Sequence, residues 1–151
     1  MKEKIAIVLG SKNDMPKLKE GIDLLDDLKI AYCLEIISAH RNPEKLRRFC
    51  LSLKRRGIET IIAAAGMAAA LPGFIASYTD IPVIGVALEG GLLGGIDALF
   101  SITSTPKGLG LVASGVGKSA FINAVIFSLE ILALGDKKYA VKLRALKKKF
   151  K

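Results

Sequence analysis

The chain contains a single histidine, His40, in the segment SAHRNPE at residues 38–44. Histidine is the side chain whose charge ordinarily changes between about pH 5 and 8, and it is the most frequent general acid or base in enzymes. Arg41 lies beside it, and an arginine binds a phosphate or carboxylate through two parallel hydrogen bonds. The segment, with Ser38 at its start, predicts proton transfer by His40 on a small anionic molecule. A lone histidine is also common as a structural or surface residue, so the position of His40 in the fold has to decide between a catalytic and a structural role.

A second segment that suits an anion is GSKNDMP at residues 10–16. Gly10 stands where a strand is expected to turn into a helix, and Ser11 and Asp14 follow before Pro16. Backbone N–H groups at a helix start, together with a glycine and a serine, bind phosphate esters well. Asp14 and Pro16 are also typical of the first turn of a helix, so a capping role remains open beside the binding role.

Two further segments contribute backbone rather than reactive side chains. AGMAAALPG, which contains Gly66, is built from small residues that let a flat ligand approach the main chain closely. LEGGLLGGID is a glycine-rich loop, and such loops are typically mobile. We expect the first segment to form a wall of the site and the second to offer Glu89 as a candidate carboxylate.

The segment SGVGKS at residues 114–119 looks like the end of a phosphate-binding loop, G-x-x-x-x-G-K-[ST]. The first glycine of that pattern would stand at Val112, and the segment does not follow the first strand of the chain. A nucleoside triphosphatase is therefore not indicated.

Short apolar runs alternate with longer amphipathic segments along the chain, without a linker or an internal repeat. The predicted strands are Lys4–Leu9, Ala31–Ile37, Thr60–Ala65, Pro82–Val86 and Leu109–Ala113. The predicted helices are Met15–Leu28, Pro43–Arg56, Leu71–Tyr78, Gly95–Ile102, Lys118–Leu134 and Asp136–Lys149. Most of the strands are apolar on both faces, as in a parallel sheet that helices cover on each side.

These elements predict an α/β fold, a three-layer α/β/α sandwich of flavodoxin-like type with a five-stranded parallel sheet and an extra C-terminal helix. Ligands of such sheets bind beyond the carboxyl ends of the strands, where the candidate segments all lie. We expect residues 1–135 to form one nucleotide-binding catalytic domain. Residues 136–151 should form a helix and basic tail that pack on a neighbouring subunit.

The composition indicates which kinds of partner the protein is expected to bind. The chain has 151 residues, 51% of them hydrophobic, and a mean hydropathy of +0.41, which suggests apolar surface buried between copies. Its net charge is +9, but six of the 23 basic residues lie in the last ten positions. A basic end of this kind is usually a solvated terminus, so no specific nucleic-acid partner is expected.

Other classes of protein are disfavoured by residue spacing. Cys33 and Cys50 lie far apart, which indicates neither a metal cluster nor a redox pair and suits a reducing cytoplasm. Residues 60–79 are uncharged, but Gly66 and Pro72 interrupt them, so we expect a buried strand, loop and helix rather than a membrane span.

Six segments, in this order and at these distances, together resemble the PurE family, the small carboxylation enzymes of purine biosynthesis. They are GSKNDMP, SAHRNPE, AAGMAAALPG, DIPVIGV, GGIDALFSI and SLEILAL. The resemblance runs from Lys4 to about Leu146, and G-S-x-x-D followed by S-A-H-R is its most specific part.

The resemblance implies conversion of N5-carboxyaminoimidazole ribonucleotide to 4-carboxy-5-aminoimidazole ribonucleotide, without a metal or an organic cofactor. His40 would carry the proton during decarboxylation and recarboxylation. Ser11, Asp14 and Arg41 match the family's nucleotide-binding positions, with Ser38 and Gly66 as neighbours. An octameric assembly is also implied.

Departures from the family pattern keep alternatives open. The third loop of the family usually reads G-G-A-A-H-L-P-G, whereas this chain has Met67 in place of a glycine and Ala70 in place of a histidine. The later loops also lack the family's usual patterns. One alternative is an enzyme that carboxylates aminoimidazole ribonucleotide directly, or that acts on another nucleotide. Another is a ribonucleotide-binding paralogue without catalysis.

Overall fold

The computed structural model describes residues 2–151, and within that range it contains five strands and six helices around one sheet. The strands are β1 Ile5–Leu9, β2 Tyr32–Ile36, β3 Thr60–Gly66, β4 Val83–Leu88 and β5 Val112–Val116. The helices are α1 Met15–Asp27, α2 Pro43–Arg56, α3 Leu71–Tyr78, α4 Ile96–Thr103, α5 Gly117–Gly135 and α6 Lys137–Lys148. All strand pairs are parallel in the order β2-β1-β3-β4-β5. The predicted flavodoxin-like sandwich is confirmed.

Alternation along the strands divides the core into two layers. In β1, Ala6 and Val8 face a buried cluster with side chains of α2, α3 and α4, whereas Ile5, Ile7 and Leu9 face a second cluster with α1, α5 and α6. Every residue of β1 is fully buried. A strand that is apolar on both faces is stable only where helices cover both sides of the sheet, which is the arrangement here.

The local sequence of α2, a helix beside the site, determines where the helix begins and ends and which face it buries. Pro43 occupies its first turn and Leu46, Cys50 and Leu53 are buried on one face, as the spacing of three and four residues requires. Gly57 ends it with a φ of 83°, in the left-handed region that glycine adopts without a Cβ penalty. Its predicted bounds agree with the structure.

Strand β5 begins later than predicted. The apolar run that starts at Leu109 first completes a turn, in which the Leu109 N–H donates to the Pro106 carbonyl and Gly108 has a φ of 97°. The strand then covers Val112–Val116, at the edge of the sheet. A turn after a proline and a glycine overrides the strand preference of the apolar residues next to it. The segment SGVGKS is therefore the end of an edge strand and the first turn of α5.

Helix α5 alone, among the described residues, has the length and hydropathy of a membrane span. Its neighbours in the structure are β3, β4 and β5 on the sheet side and the helices α1 and α6. Phe121, Val125 and Leu129 are fully buried in that contact. These apolar residues therefore supply the core beneath the sheet.

Helix α6 packs on its own chain. Tyr139 and Leu146 belong to the buried cluster beneath α5, and the Asp136 carboxylate caps the helix by accepting from the Lys138 N–H at 2.8 Å. Lys142 Nζ donates to the carbonyls of Leu28 and Lys29, at 2.6 and 2.9 Å. These hydrogen bonds give Lys142, one of the basic residues near the C-terminus, a structural role. A contact of the remaining exposed face with a neighbouring subunit stays a prediction.

Candidate active site

The turns that follow β1, β2, β3 and β4 meet at the carboxyl edge of the sheet and line one cavity of about 450 Å³. They meet because β1 lies between β2 and β3, with β4 next in order. Ser11, Asp14, Ser38, His40 and Gly66 all line this cavity. A smaller cavity of about 250 Å³ is lined by Arg41 and shares Ser11, Ser38 and His40 with the larger one. The structure thus brings together all six residues named from the sequence.

The first turn holds its shape through Ser11. The Ser11 hydroxyl accepts from the Asn13 N–H at 3.2 Å, at the start of a 3₁₀ turn over Lys12–Asp14. The side chain of Asp14 makes no capping hydrogen bond to α1, although it stands at the cap position. Its carboxylate instead accepts from Lys17 Nζ at 2.9 Å. Asp14 is therefore directed toward the cavity rather than toward the backbone of the helix.

The second turn presents the imidazole. Ala39 is buried and fixes the turn, while the His40 side chain beside it is exposed at the boundary of the two cavities. Ser38 shapes the turn by accepting from the Arg41 N–H through its hydroxyl at 3.3 Å and from the Asn42 N–H through its carbonyl at 2.9 Å. Within residues 2–151, neither ring nitrogen of His40 forms a hydrogen bond to the protein. The ring is thus available to a ligand.

The third turn forms an apolar wall. Gly66 ends β3 where the chain passes so close to β4 that a Cβ would lie 3.1 Å from the Leu88 carbonyl oxygen. The alanines Ala68, Ala69 and Ala70 follow along the cavity. The Ser101 hydroxyl donates to the Ala68 carbonyl at 2.8 Å and ties this turn to α4. This turn consequently gives the cavity an apolar part of its lining, and the polar groups come from the other turns.

Met67 is the unusual residue of this wall. Its φ is 55°, in the left-handed region, and its side chain is 65% exposed while lining the cavity. Residues other than glycine, asparagine and aspartate rarely adopt this backbone conformation. The position is therefore held by its surroundings at a cost in strain, and strain of this kind is concentrated at functional sites.

Two polar residues of the cavity, Asn13 and Lys17, were not predicted from the sequence, whereas Glu89, the candidate carboxylate of the fourth segment, does line the same cavity as His40. Lys17 lies one helical turn after Asp14, a spacing at which an ion pair could have been anticipated. Lys17 Nζ also donates to the Glu89 carbonyl at 2.5 Å, across 72 residues of sequence. Nothing in the local sequence of either segment indicates that second contact.

The charges around the two cavities are mixed. Lys17 and Arg41 are basic, Asp14 and Glu89 are acidic, and the N-terminus of α1 adds the partial positive charge of its backbone N–H groups. Over residues 2–151, no three His, Cys, Asp or Glu side chains are grouped to hold a metal ion. The arrangement can bind an anionic ligand and exchange a proton with it through a single imidazole.

A parallel sheet of this order, with an imidazole and anion-binding groups at its carboxyl edge, defines a flavodoxin-like α/β protein with a site suited to a small anionic ligand. A family model described as AIR carboxylase matches residues 4–151. The chain belongs to the AIR carboxylase family.

Curated relatives agree with this assignment, and a solved structure shows the same fold. A protein named N5-carboxyaminoimidazole ribonucleotide mutase from Vibrio parahaemolyticus is 40% identical over 144 residues, 95% of this chain and 89% of the relative. Proteins of the same name from Pyrococcus abyssi and Escherichia coli are 40% and 38% identical, over 98% and 96% of this chain and 84% and 86% of theirs. The crystal structure of Treponema denticola PurE matches 96% of this chain and 89% of its own, with a TM-score of 0.82 and 24% identity, which supports the fold.

Proposed function

We propose that this protein converts N5-carboxyaminoimidazole ribonucleotide to 4-carboxy-5-aminoimidazole ribonucleotide in purine biosynthesis. The observation that carries the proposal is the position of His40, which lines both the larger cavity with its alanine wall and the smaller cavity with Ser11 and Arg41. Membership of the AIR carboxylase family and the names of the curated relatives support it.

The reaction needs one proton to leave a donor and later return. The N–C bond of the substrate carbamate breaks, the nitrogen keeps the electron pair and takes a proton from His40, and carbon dioxide is released. The ring carbon then bonds to carbon dioxide, and the proton that this carbon loses returns to His40. Because the proton count closes within the cycle, a site with a single imidazole is sufficient.

The other groups of the cavity suit binding and confinement. Arg41, the hydroxyls of Ser11 and Ser38, and the N-terminus of α1 can hold the phosphate of a ribonucleotide. The apolar wall from Met67 to Ala70 excludes water from the released carbon dioxide, which would otherwise escape or be hydrated. Ser11, Asp14, Ser38, Arg41 and Gly66 are accordingly assigned to substrate binding.

The test is turnover by the purified protein, followed through the absorbance of the carboxylated imidazole. The wild type should form product from N5-carboxyaminoimidazole ribonucleotide without added bicarbonate. His40→Asn should lower kcat at least about 100-fold, since a general acid–base group contributes roughly 10²–10⁴. Calorimetric binding of aminoimidazole ribonucleotide and an unchanged unfolding temperature are the controls, because the exposed ring makes no protein hydrogen bond among the described residues.

The same assay separates the alternatives. Product formed only from aminoimidazole ribonucleotide with bicarbonate would replace the proposal by direct carboxylation. Binding of the ribonucleotide without turnover of either substrate would indicate a non-catalytic paralogue. The residues that bear on these alternatives are Met67 and Ala70, the two positions of the apolar wall at which the chain departs from the family pattern.

We also propose that the protein works in the cytoplasm as a homo-oligomer, with an octamer as the expected assembly. Several large apolar side chains lie exposed near the site and on α4, which supports burial between copies. They include Leu92, which is fully exposed, together with Leu93, Ile96 and Phe100. Light scattering coupled to size-exclusion chromatography should give a mass several times that of one chain, and a monomeric mass would contradict this assembly.

A further inference from the structure

Lys17 connects two parts of the cavity that are distant in sequence. It projects from the first turn of α1 and places Nζ 2.9 Å from Asp14 Oδ1 and 2.5 Å from the Glu89 carbonyl oxygen. The side chain of Lys17 is 30% exposed and that of Asp14 is 15% exposed. Hydrogen bonds from a charged donor are stronger than neutral ones, and they gain further where water is partly excluded.

The loop that Lys17 contacts is closely packed at Gly91, against Asp97, and at Gly95, against Val116, whereas its tip has fewer neighbours. It runs from Glu89 to Gly95, and its glycines Gly90, Gly94 and Gly95 all have positive φ angles, which glycine leaves readily when the chain is free. Leu92 and Leu93 at its tip are exposed, so apolar burial does not anchor the tip. Its own backbone hydrogen bonds, Gly94 N–H to Gly91 O and Ile96 N–H to Leu93 O, are 3.4 and 3.2 Å long.

Lys17 also sets the charge and direction of Asp14. An unpaired carboxylate in this cavity would repel an anionic ligand, and its side chain would be free to rotate. The ammonium group offsets that charge and occupies Oδ1 of Asp14, which leaves Oδ2 to accept from a donor group of a bound ligand. Two of the three ammonium protons serve Asp14 and Glu89, so the group is committed to the protein.

We propose that Lys17 is a positioning residue of this cleft: it fixes the carboxylate of Asp14 and holds the base of the Glu89–Gly95 loop against α1, so that the loop forms a wall over the ligand. The assignment of the ligand as a ribonucleotide rests on the proposed function. The role of Lys17 in ordering the loop does not depend on it.

The experiment compares Lys17→Met with Lys17→Arg and with Lys19→Met. Lys19 is the matched control, because it lies two residues away on α1 and its replacement removes the same charge. Among residues 2–151 its side chain pairs only with Asp23, on the exposed face of the same helix. Hydrogen exchange of the Gly94 and Ile96 amides is measured in each variant without ligand. Exchange should be at least about tenfold faster in Lys17→Met and unchanged in Lys19→Met, since the loop opens locally once its link to α1 is lost.

Kinetics give the second measurement. In Lys17→Met the KM for N5-carboxyaminoimidazole ribonucleotide should rise at least about tenfold while kcat changes less than about threefold, because His40 and the apolar wall stay in place. Lys17→Arg should recover most of the loss, since a guanidinium group can still donate to both partners. Adding Asp14→Asn to Lys17→Met should cost little more than either change alone, because the two residues act as one unit.

The proposal would be overturned if the Gly94 and Ile96 amides exchanged hydrogen at the same rate in Lys17→Met as in Lys19→Met. It would also be overturned by a loss confined to kcat. If the wild type fails to turn over the substrate but loop exchange responds to Lys17→Met alone, the positioning role stands and the proposed function falls.

Discussion

Replacement of Lys142 by methionine tests whether the basic C-terminus is a structural part of the domain. Lys142 Nζ donates to two carbonyls just beyond α1, those of its C-cap residue Leu28 and of Lys29, at 2.6 and 2.9 Å. The Leu28 carbonyl stands at the C-cap, where the negative end of the helix dipole lies, and the Lys29 carbonyl follows it. The ammonium group therefore satisfies two acceptors and ties α6 to α1.

The size of the effect follows from these contacts. A hydrogen bond from a charged donor contributes about 1.5–3 kcal/mol in a buried setting, and partial exposure of this one reduces the sum of both bonds. Methionine keeps most of the apolar stem of lysine, so packing changes little. We expect Lys142→Met to lower the free energy of unfolding by about 1–2 kcal/mol and Tm by about 3–6 °C.

The assay is thermal and urea unfolding of the wild type, Lys142→Met and Lys148→Met. Lys148 is the matched control: it lies on the same helix, it is exposed, and it has no hydrogen bond or ion pair to residues 2–151. Its replacement should leave Tm within about 1 °C, since surface changes of this kind rarely exceed 0.5 kcal/mol or so. Equal losses of stability in both variants would refute the reasoning, because a general charge effect would then explain them.

Two further predictions concern the packing of the core. Replacement of glycine by alanine in an exposed helix usually stabilises it by about 1 kcal/mol. Gly21→Ala should instead lower the free energy of unfolding by about 1 kcal/mol, because the new Cβ would lie 2.4 Å from Cδ1 of the fully buried Phe121. Urea unfolding compares this variant with Gly135→Ala, in which the new Cβ has no neighbour within 4 Å. A higher free energy of unfolding in both variants would contradict the packing argument. Burial raises the pKa of the Cys50 thiol to about 11. Between pH 9 and 11 the thiol therefore ionises in the unfolded chain but stays largely protonated in the folded one. Over this range the free energy of unfolding, measured with urea, should fall by about 1–2 kcal/mol more in the wild type than in Cys50→Ala. Parallel pH profiles of the two proteins would contradict this expectation.

The convergence of the site followed from topology. Ser11, His40 and Gly66 each stand just after a predicted strand, and the strands of a βαβ fold run parallel. Their carboxyl ends must then share one edge of the sheet, whatever the details of packing. Prediction from sequence could therefore name residues of the cavity that are 26 positions or more apart without knowing any distance between them.

Contacts between loops could not be foreseen in this way. The hydrogen bond from Lys17 to the Glu89 carbonyl depends on how far the loop after β4 leans toward α1, and Met67 takes a left-handed φ because its neighbours hold it there. Loop conformation depends on interactions summed over many distant groups, each of about 1 kcal/mol, and no periodic pattern encodes it. The start of β5 was misjudged for a related reason, since a turn at Pro106 and Gly108 competes locally with an apolar run.

The sequence by itself determined the kind of elements, the parallel sheet and the set of side chains at its edge, because hydrophobic periodicity and turn residues act within a few positions. The tertiary structure alone decided that Asp14 pairs with Lys17 instead of capping α1, that Lys17 also reaches the Glu89 carbonyl, and that Lys142 ties α6 to its own chain. Charged side chains on flexible stems select among partners that several elements bring within reach. That choice exists only once the chain has folded.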